Sequence, residues 1–352
     1  VAQPTSKPET EQTALLSHPL LTQKRGRHIE NRFNGWFLTS TNMGDLHYAS
    51  PGSYSLNTYF RSSAKPFQAF PLLTAMQKHN IALPTEALAI ACSSHSGTPD
   101  HTKWSAFLLE QAGLTQKDLQ CGSHPPVDKA AAKALENQGI SPTTLHNNCS
   151  GKHAGMLYAC VLNGWPTENY LAPNHPLQQS IIAGLEETAE EKLVDIAIDG
   201  CGAPVFYLPL KTMAKLYARL ATEARFQPLI EAMTQFPELV GGQERIDTSI
   251  MQVSKGTLLS KVGADGVMCI ANREKQQGFA LKMENGQNSV RDQYLPFVLH
   301  QLGWLNSQQV QNPALENFLA GPILNTCQTL VGQNICHMPP NELLAPATVH
   351  LE

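Results

Sequence analysis

The sequence predicts an α+β fold: an antiparallel sheet built from N- and C-terminal strands, packed with a largely helical middle. Three observations carry this. Between Phe33 and Phe60, short β-compatible runs (WFLTST, LHYAS, SYSLNTYF) are broken by Asn34-Gly35, Gly44-Asp45 and Pro51-Gly52, pairs that turn the chain back on itself. From residue 62 to about 235 the apolar period becomes that of amphipathic helices. After residue 255, GTLLSKVGADGVMCIANREKQQGFALKME alternates apolar and polar residues around Gly263 to Gly266, as an antiparallel pair does.

The elements follow in order. Residues 1–24 read as a flexible arm, rich in Pro, Thr, Ser and Gln and without apolar periodicity before Leu15. Helical periodicity marks residues 62–77, 102–112, 129–138 and 155–163, with Ser62 as a cap for the first. Between 176 and 235 further helices flank the strand-like VDIAI. A helix in DQYLPFVLHQLGWL and a strand near Leu330 close the domain, and residues 341–352 form a tail. Residues 25–340 are thus expected to be one domain, with no internal repeat.

With 352 residues, 42% of them hydrophobic and 15% charged, the chain has the bulk for a large core, which excludes disordered, collagenous and coiled-coil classes. The formal charge of -4, with no basic run, argues against nucleic acid as a partner. No apolar stretch approaches the ~20 residues of a membrane helix, so no membrane partner is expected. Eight cysteines are spread along the chain, most in apolar surroundings such as AIAC and LYAC. Free core thiols, and hence a reducing, cytoplasmic setting, are the expectation.

Polar reactive residues cluster beside Gly or Pro in RSSAKP, SSHSG, NNCSGKHAGM with DGCGAP, and SKVGADG. In Ser62-x-x-Lys65 the amine comes within one turn of the hydroxyl, and it acts as a base only when neutral. Burial or a second cation lowers a lysine pKa, and Lys261 is a candidate for that cation. The succession of S-x-x-K, a Ser94-His95-Ser96 turn and Lys261-Val262-Gly263 is similar to that of serine β-lactamases and penicillin-binding proteins. Ser96 stands where that pattern has Asn, and Val262 where it has Thr or Ser. The chemical logic is therefore serine acyl transfer, with the β-lactam substrate disfavoured. Cys149 and Cys201 lie in glycine-rich loops, where they are either buried free thiols, a reactive cysteine, or two zinc ligands with His153 as the third by spacing. Gly151-Lys152 lacks the preceding glycine of a Walker A loop, so no nucleotide site is read there.

Taken jointly and in order, RSSAKPFQ, ACSSHSG, CGSHPP, NNCSGKHAGML, DGCGAP and SKVGADGV resemble the rhizobial-type L-asparaginase II family over residues 25–340. The resemblance implies an L-asparagine amidohydrolase, a homodimer, and a fold similar to serine β-lactamases and glutaminases. It implies Ser62 with Lys65 and Ser94 with Lys261 as two Ser-Lys pairs, either serine being the nucleophile. It also implies zinc held by Cys149, Lys152 and Cys201 with a water, which sets His153 aside, and a pocket lined by Arg61 and Asp199. By charge, Arg61 suits the α-carboxylate of the substrate and Asp199 its α-ammonium; His95 is assigned to substrate binding beside them. The chain departs from the family at Asn147-Asn148, where a histidine often precedes Asn-Cys and His146 is here shifted by one. Two other readings stand beside this one: a β-lactamase-like or penicillin-binding serine acyl-enzyme, and a non-catalytic asparagine-binding protein.

Overall fold

The computed structural model describes residues 15–344, and its strands pair into two antiparallel sheets. They are β1 (His18–Arg25), β2 (His28–Thr41), β3 (Leu46–Ala49), β4 (Asn57–Tyr59), β5 (Asp195–Ile198), β6 (Pro204–Pro209), β7 (Leu258–Val262), β8 (Val267–Asn272), β9 (Gln277–Met283), β10 (Pro322–Leu324) and β11 (Leu330–Cys336). The large sheet runs β10-β11-β1-β2-β9-β8-β7, with β3 also on β2. It unites the two ends of the chain, as its alternating runs predict: Leu21 pairs with Cys336, and Phe37 with Leu281. A small sheet, β4-β6-β5, carries the VDIAI segment and was not foreseen as a separate unit.

The arm expected over residues 1–24 is corrected. Residues 18–25 are β1, an interior strand between β11 and β2, with Leu20 and Leu21 buried. The polar positions of HPLLTQKR hid a strand whose order comes from pairing on both edges. Residues 1–14 of that arm, and 345–352 of the expected tail, lie outside the described residues. The tail's first residues are tied down: the Asn341 side chain accepts from the Ala49 amide at 3.1 Å and Glu342 from that of Gly52 at 3.3 Å.

Period-two alternation sorts the sheet's side chains onto two cores. Phe37, Met268, Ile270, Phe279 and Leu281 face one side, where they meet Tyr294, Leu295, Val298 and Leu299 of helix Asn288–Gln301. Trp36, Leu38, Cys269, Ala271 and Ala280 face the other, towards helix Leu210–Thr222 and the helical middle. The small residues on this second face let the helix lie close. At Gly278 the approach is tightest, because a Cβ there would stand 1.9 Å from the Ala214 carbonyl oxygen. Gly278→Ala is therefore expected to force helix and sheet apart and to lower the melting temperature by about 1–4 °C, given ~1–3 kcal/mol for overpacking in a domain of this size. Calorimetry on the variant checks this; an unchanged midpoint would contradict the tight spacing.

The helix expected over residues 62–77 is broken into a 3-10 turn, Arg61–Ala64, and two helices, Lys65–Gln68 and Phe70–His79. Pro66 and Pro71 lack the N–H that a continuous helix would need, and Ser62 sits inside the turn instead of capping the helix. The turn is fixed from two sides. Tyr217 donates its hydroxyl proton to Ser63 O at 2.7 Å, and Ser63 Oγ donates to Lys261 O at 2.9 Å. The second bond ties residues 61–65 to β7.

Candidate active site

Four separate elements deliver the reactive groups to one place. Lys65 opens its helix beside the 3-10 turn, and Ser94 follows helix Thr85–Ala91. Lys261 lies on β7, where alternation puts it on the same face as Leu259, towards the helical layer. Cys149 and Lys152 stand at the start of helix Ser150–Asn163. Gly151 in that first turn explains its motif: a Cβ would come within 2.3 Å of Ile90 O, so only glycine allows this helix to abut the end of Thr85–Ala91. The Ser94 loop is pinned by backbone, Ser94 N donating to Val240 O at 2.9 Å and His95 N to Asn148 O at 3.1 Å.

Both lysines converge on one serine. Lys65 Nζ and Lys261 Nζ each lie 2.9 Å from Ser94 Oγ. Lys65 also donates to Ser93 O at 2.6 Å and reaches Cys149 Sγ at 3.3 Å, while Lys261 donates to Val262 O at 3.1 Å. All are buried: Ser94 is 3% exposed, Lys65 1% and Lys261 0%. Burial lowers the pKa of Lys65, and it draws Lys261 down to about 7 against the opposing pull of Asp247. An amine poised as Lys261 is exchanges its proton near neutrality. The expected contact of Lys65 with Ser62 is replaced by its contact with Ser94. The Ser62 hydroxyl is half-buried and has no hydrogen bond among the described residues.

Beside this cluster, Lys152 Nζ lies 3.0 Å from Cys201 Sγ, in the β5–β6 loop. A hydrogen bond from the Cys201 thiol holds Cys149 well below the usual thiol range, with Lys65 and Lys152 adding to it, and the same bond raises Cys201. Burial pulls the Lys152 amine down, but the two sulfurs outweigh it and hold its proton more tightly than usual. Among the described residues no group of three or more His, Cys, Asp or Glu gathers as for a metal, so two sulfurs and one amine are the available donors. His153, the third ligand by spacing alone, has its Nδ1 2.7 Å from the Tyr170 hydroxyl, while its buried Nε2 has no hydrogen-bond partner among the described residues and the Cys201 sulfur lies beside the ring.

Above the buried layer, Arg61 adopts a left-handed backbone (φ 50°), a sparsely populated state for a residue with a Cβ. Its guanidinium pairs with Asp199 at 2.9 Å and with Asp265. The two groups expected to hold opposite ends of a zwitterion thus hold each other. His95 is a correction to the expected substrate contacts. Its ring is fully buried, Nδ1 accepts from Gly97 N at 3.1 Å, Nε2 meets Ser150 Oγ at 2.8 Å, and it stacks on His101. With both nitrogens occupied, it braces the Ser94 loop. One participant carried no motif: Asp247, wholly buried, lies 3.7 Å from Lys261 Nζ. Asp265, which holds Arg61, lies within SKVGADG but was given no role there. A charged residue within the apolar stretch IDTSIM was the available signal for Asp247.

A loop serine held between two buried amines, one of them on a sheet that joins the two chain ends, is an arrangement suited to Ser-Lys acyl transfer. The chain belongs to the L-asparaginase II family, whose profile matches residues 21–335. It is accordingly an asparaginase-type amidohydrolase acting on a small molecule. No curated protein matches it in sequence. Among solved structures it is similar to a β-lactamase from Mycobacterium bovis, with 12% identity, 76% of this chain and 94% of that chain covered, and a TM-score of 0.43. It is also similar to Mglu in its native form, with 14% identity, 79% and 66% coverage, and a TM-score of 0.36. A simvastatin synthase variant from Aspergillus terreus follows, with 10% identity, 71% and 86% coverage, and a TM-score of 0.33. The chain spans just under two thirds of Mglu. No described helix is long and apolar enough to cross a membrane.

Proposed function

We propose that the protein hydrolyses L-asparagine to L-aspartate and ammonia through a serine ester, with two lysines moving the proton. The observation that carries this reading is Ser94 Oγ at 2.9 Å from both Lys65 and Lys261, inside a member of an asparaginase family. Ser62 is the better nucleophile of the two serines, since it is the more exposed and its hydroxyl is free of hydrogen bonds among the described residues. It sits one residue from Arg61, where the amino-acid head would bind.

The steps follow from these positions. The substrate's α-carboxylate takes Arg61 and its α-ammonium takes Asp199, which separates the ion pair now joining them. Ser62 Oγ attacks the side-chain amide carbon as its proton passes to Lys65. Ser94 links Lys65 to Lys261, so the proton is shared by two amines. The C–N bond breaks as a lysine returns a proton to the leaving nitrogen, and water hydrolyses the aspartyl ester by the same route in reverse.

The Cys149, Lys152 and Cys201 side chains suit zinc, because two close sulfurs and a nitrogen, each under 8% exposed, make a soft donor set. They would hold the ion, which supplies a Lewis-acid position that helps to orient substrate. The Lys152 proton must leave for its amine to ligate. The homodimer implied by the family resemblance belongs to the same reading.

Ammonia release from L-asparagine, measured on zinc-loaded and chelated protein, tests the proposal. The zinc-loaded protein is expected to be active, and chelation to raise KM while slow turnover persists. Abolition of turnover by chelation would make the metal the chemical agent. No release from loaded protein would remove the asparaginase assignment.

A further inference from the structure

We propose that Asp247 is a positioning residue for the reaction: its buried carboxylate, facing the Lys261 amine across β7, sets the charge that Lys261 carries when it serves Ser94. The inference rests on Lys261 sharing the transferred proton with Lys65 through Ser94, as proposed above.

The geometry comes first. Asp247 Oδ2 lies 3.7 Å from Lys261 Nζ, and both side chains are fully buried. The carboxylate is locked from two elements. Oδ2 accepts from Val262 N at 3.4 Å, on the strand that carries Lys261, and Oδ1 accepts from Thr248 N at 3.3 Å, in the first turn of helix Ile246–Val253. The strand and that turn are further joined by Ser260 Oγ, which donates to Asp247 O at 2.7 Å. Room for the carboxylate comes from Gly241, where a Cβ would stand 2.7 Å from Oδ1. The two N–H groups bond different oxygens, so a neutral amide, with its single acceptor oxygen, would serve only one of them. Among the described residues Lys261 is the one cation at ion-pair distance from the carboxylate, and the negative charge acts on that amine.

The charges facing Lys261 weigh the same way. Asp247, on helix Ile246–Val253, favours its protonated form, and the Cys149 sulfur adds to this from the start of helix Ser150–Asn163. Lys65 and Arg245 oppose it, and burial opposes it most. Without the carboxylate, desolvation and two cations would leave Lys261 neutral throughout the working range, able to take a proton from Ser94 only weakly. With it, Lys261 gains and loses its proton near neutrality, about 7. Asp247 in turn stays ionised despite its burial, because Lys261 and Arg245 stabilise the anion.

The test is Asp247→Asn in the full chain, with lysine labelled at Cε by 13C and the Lys261 signal assigned by its absence in Lys261→Arg. The expected result is a Lys261 titration midpoint at least one pH unit below that of the unaltered protein, a tenfold or greater loss of proton affinity, in a variant that melts cooperatively. The acid limb of kcat is expected to move down with it. An unmoved midpoint would overturn the proposal and leave Asp247 a structural anchor. Where the midpoint falls and the acid limb stays, the pairing stands and the assignment of Lys261 as base fails instead. A second measurement needs no variant: in the unaltered protein the 13C carboxyl signal of Asp247 is expected to step at the Lys261 midpoint, and its absence there would also overturn the coupling.

Discussion

Ser62→Ala is expected to lower kcat for ammonia release from L-asparagine by about 10⁴-fold or more, the scale on which loss of a nucleophile acts. Binding is expected to survive, because the contacts proposed for the amino-acid head, to Arg61 and Asp199, do not involve the hydroxyl. Ser94→Ala is expected to cost about 10²- to 10⁴-fold, the range of a lost proton-transfer partner, since it removes the atom that joins the two lysines. The two variants separate by their intermediates. Rapid quenching followed by peptide mass analysis is expected to find the aspartyl ester on the Ser62 peptide in the unaltered protein, and still there, formed more slowly, in Ser94→Ala. An ester on the Ser94 peptide, or a Ser62→Ala variant as fast as the parent, would reverse the roles.

Lys261→Met carries the second large effect, an expected loss of about 10²- to 10⁴-fold in kcat. Its sign in pH follows from burial. A base works deprotonated, so the unaltered enzyme is expected to gain activity as pH rises through about 7, where Lys261 releases its proton, and to level off above. Methionine has nothing to titrate, and the residual activity of the variant is expected to lack that rise. The substitution also leaves Asp247 facing no amine, so some loss of stability is expected with it. The pH profile separates the two effects, because a structural defect scales activity at every pH while a lost base removes the limb. An identical limb in Lys261→Met would assign it to another group.

Much of the fold was legible because it rests on local pattern. Alternation after residue 255 foretold an antiparallel pair around Gly263 to Gly266, which the structure extends to the three strands β7, β8 and β9, and the period of two along β7 puts Lys261 on the inner face. The strand at 18–25 escaped because HPLLTQKR shows little alternation of its own; Leu20 and Leu21 are buried only once β11 and β2 flank them. The broken helix after residue 61 was legible in part, Pro66 and Pro71 being visible in the sequence but their joint effect on Ser62 being geometric.

The site divides in the same way. Types of group were written in motifs, namely serines near lysines, thiols in glycine loops, and an arginine beside a serine. Partners were not. Lys65 is three residues from Ser62 and 29 from Ser94, yet its amine bonds the distant serine. His95 stands in a reactive motif and is sealed in the core. Asp247 belongs to no motif and faces Lys261. The sequence by itself determined which functional groups the chain owns and how its strands alternate, because those depend on residue type and short-range period. Only the tertiary structure decided which groups meet and what charge they carry, because desolvation and Coulomb interaction depend on neighbours brought together from segments far apart in the chain.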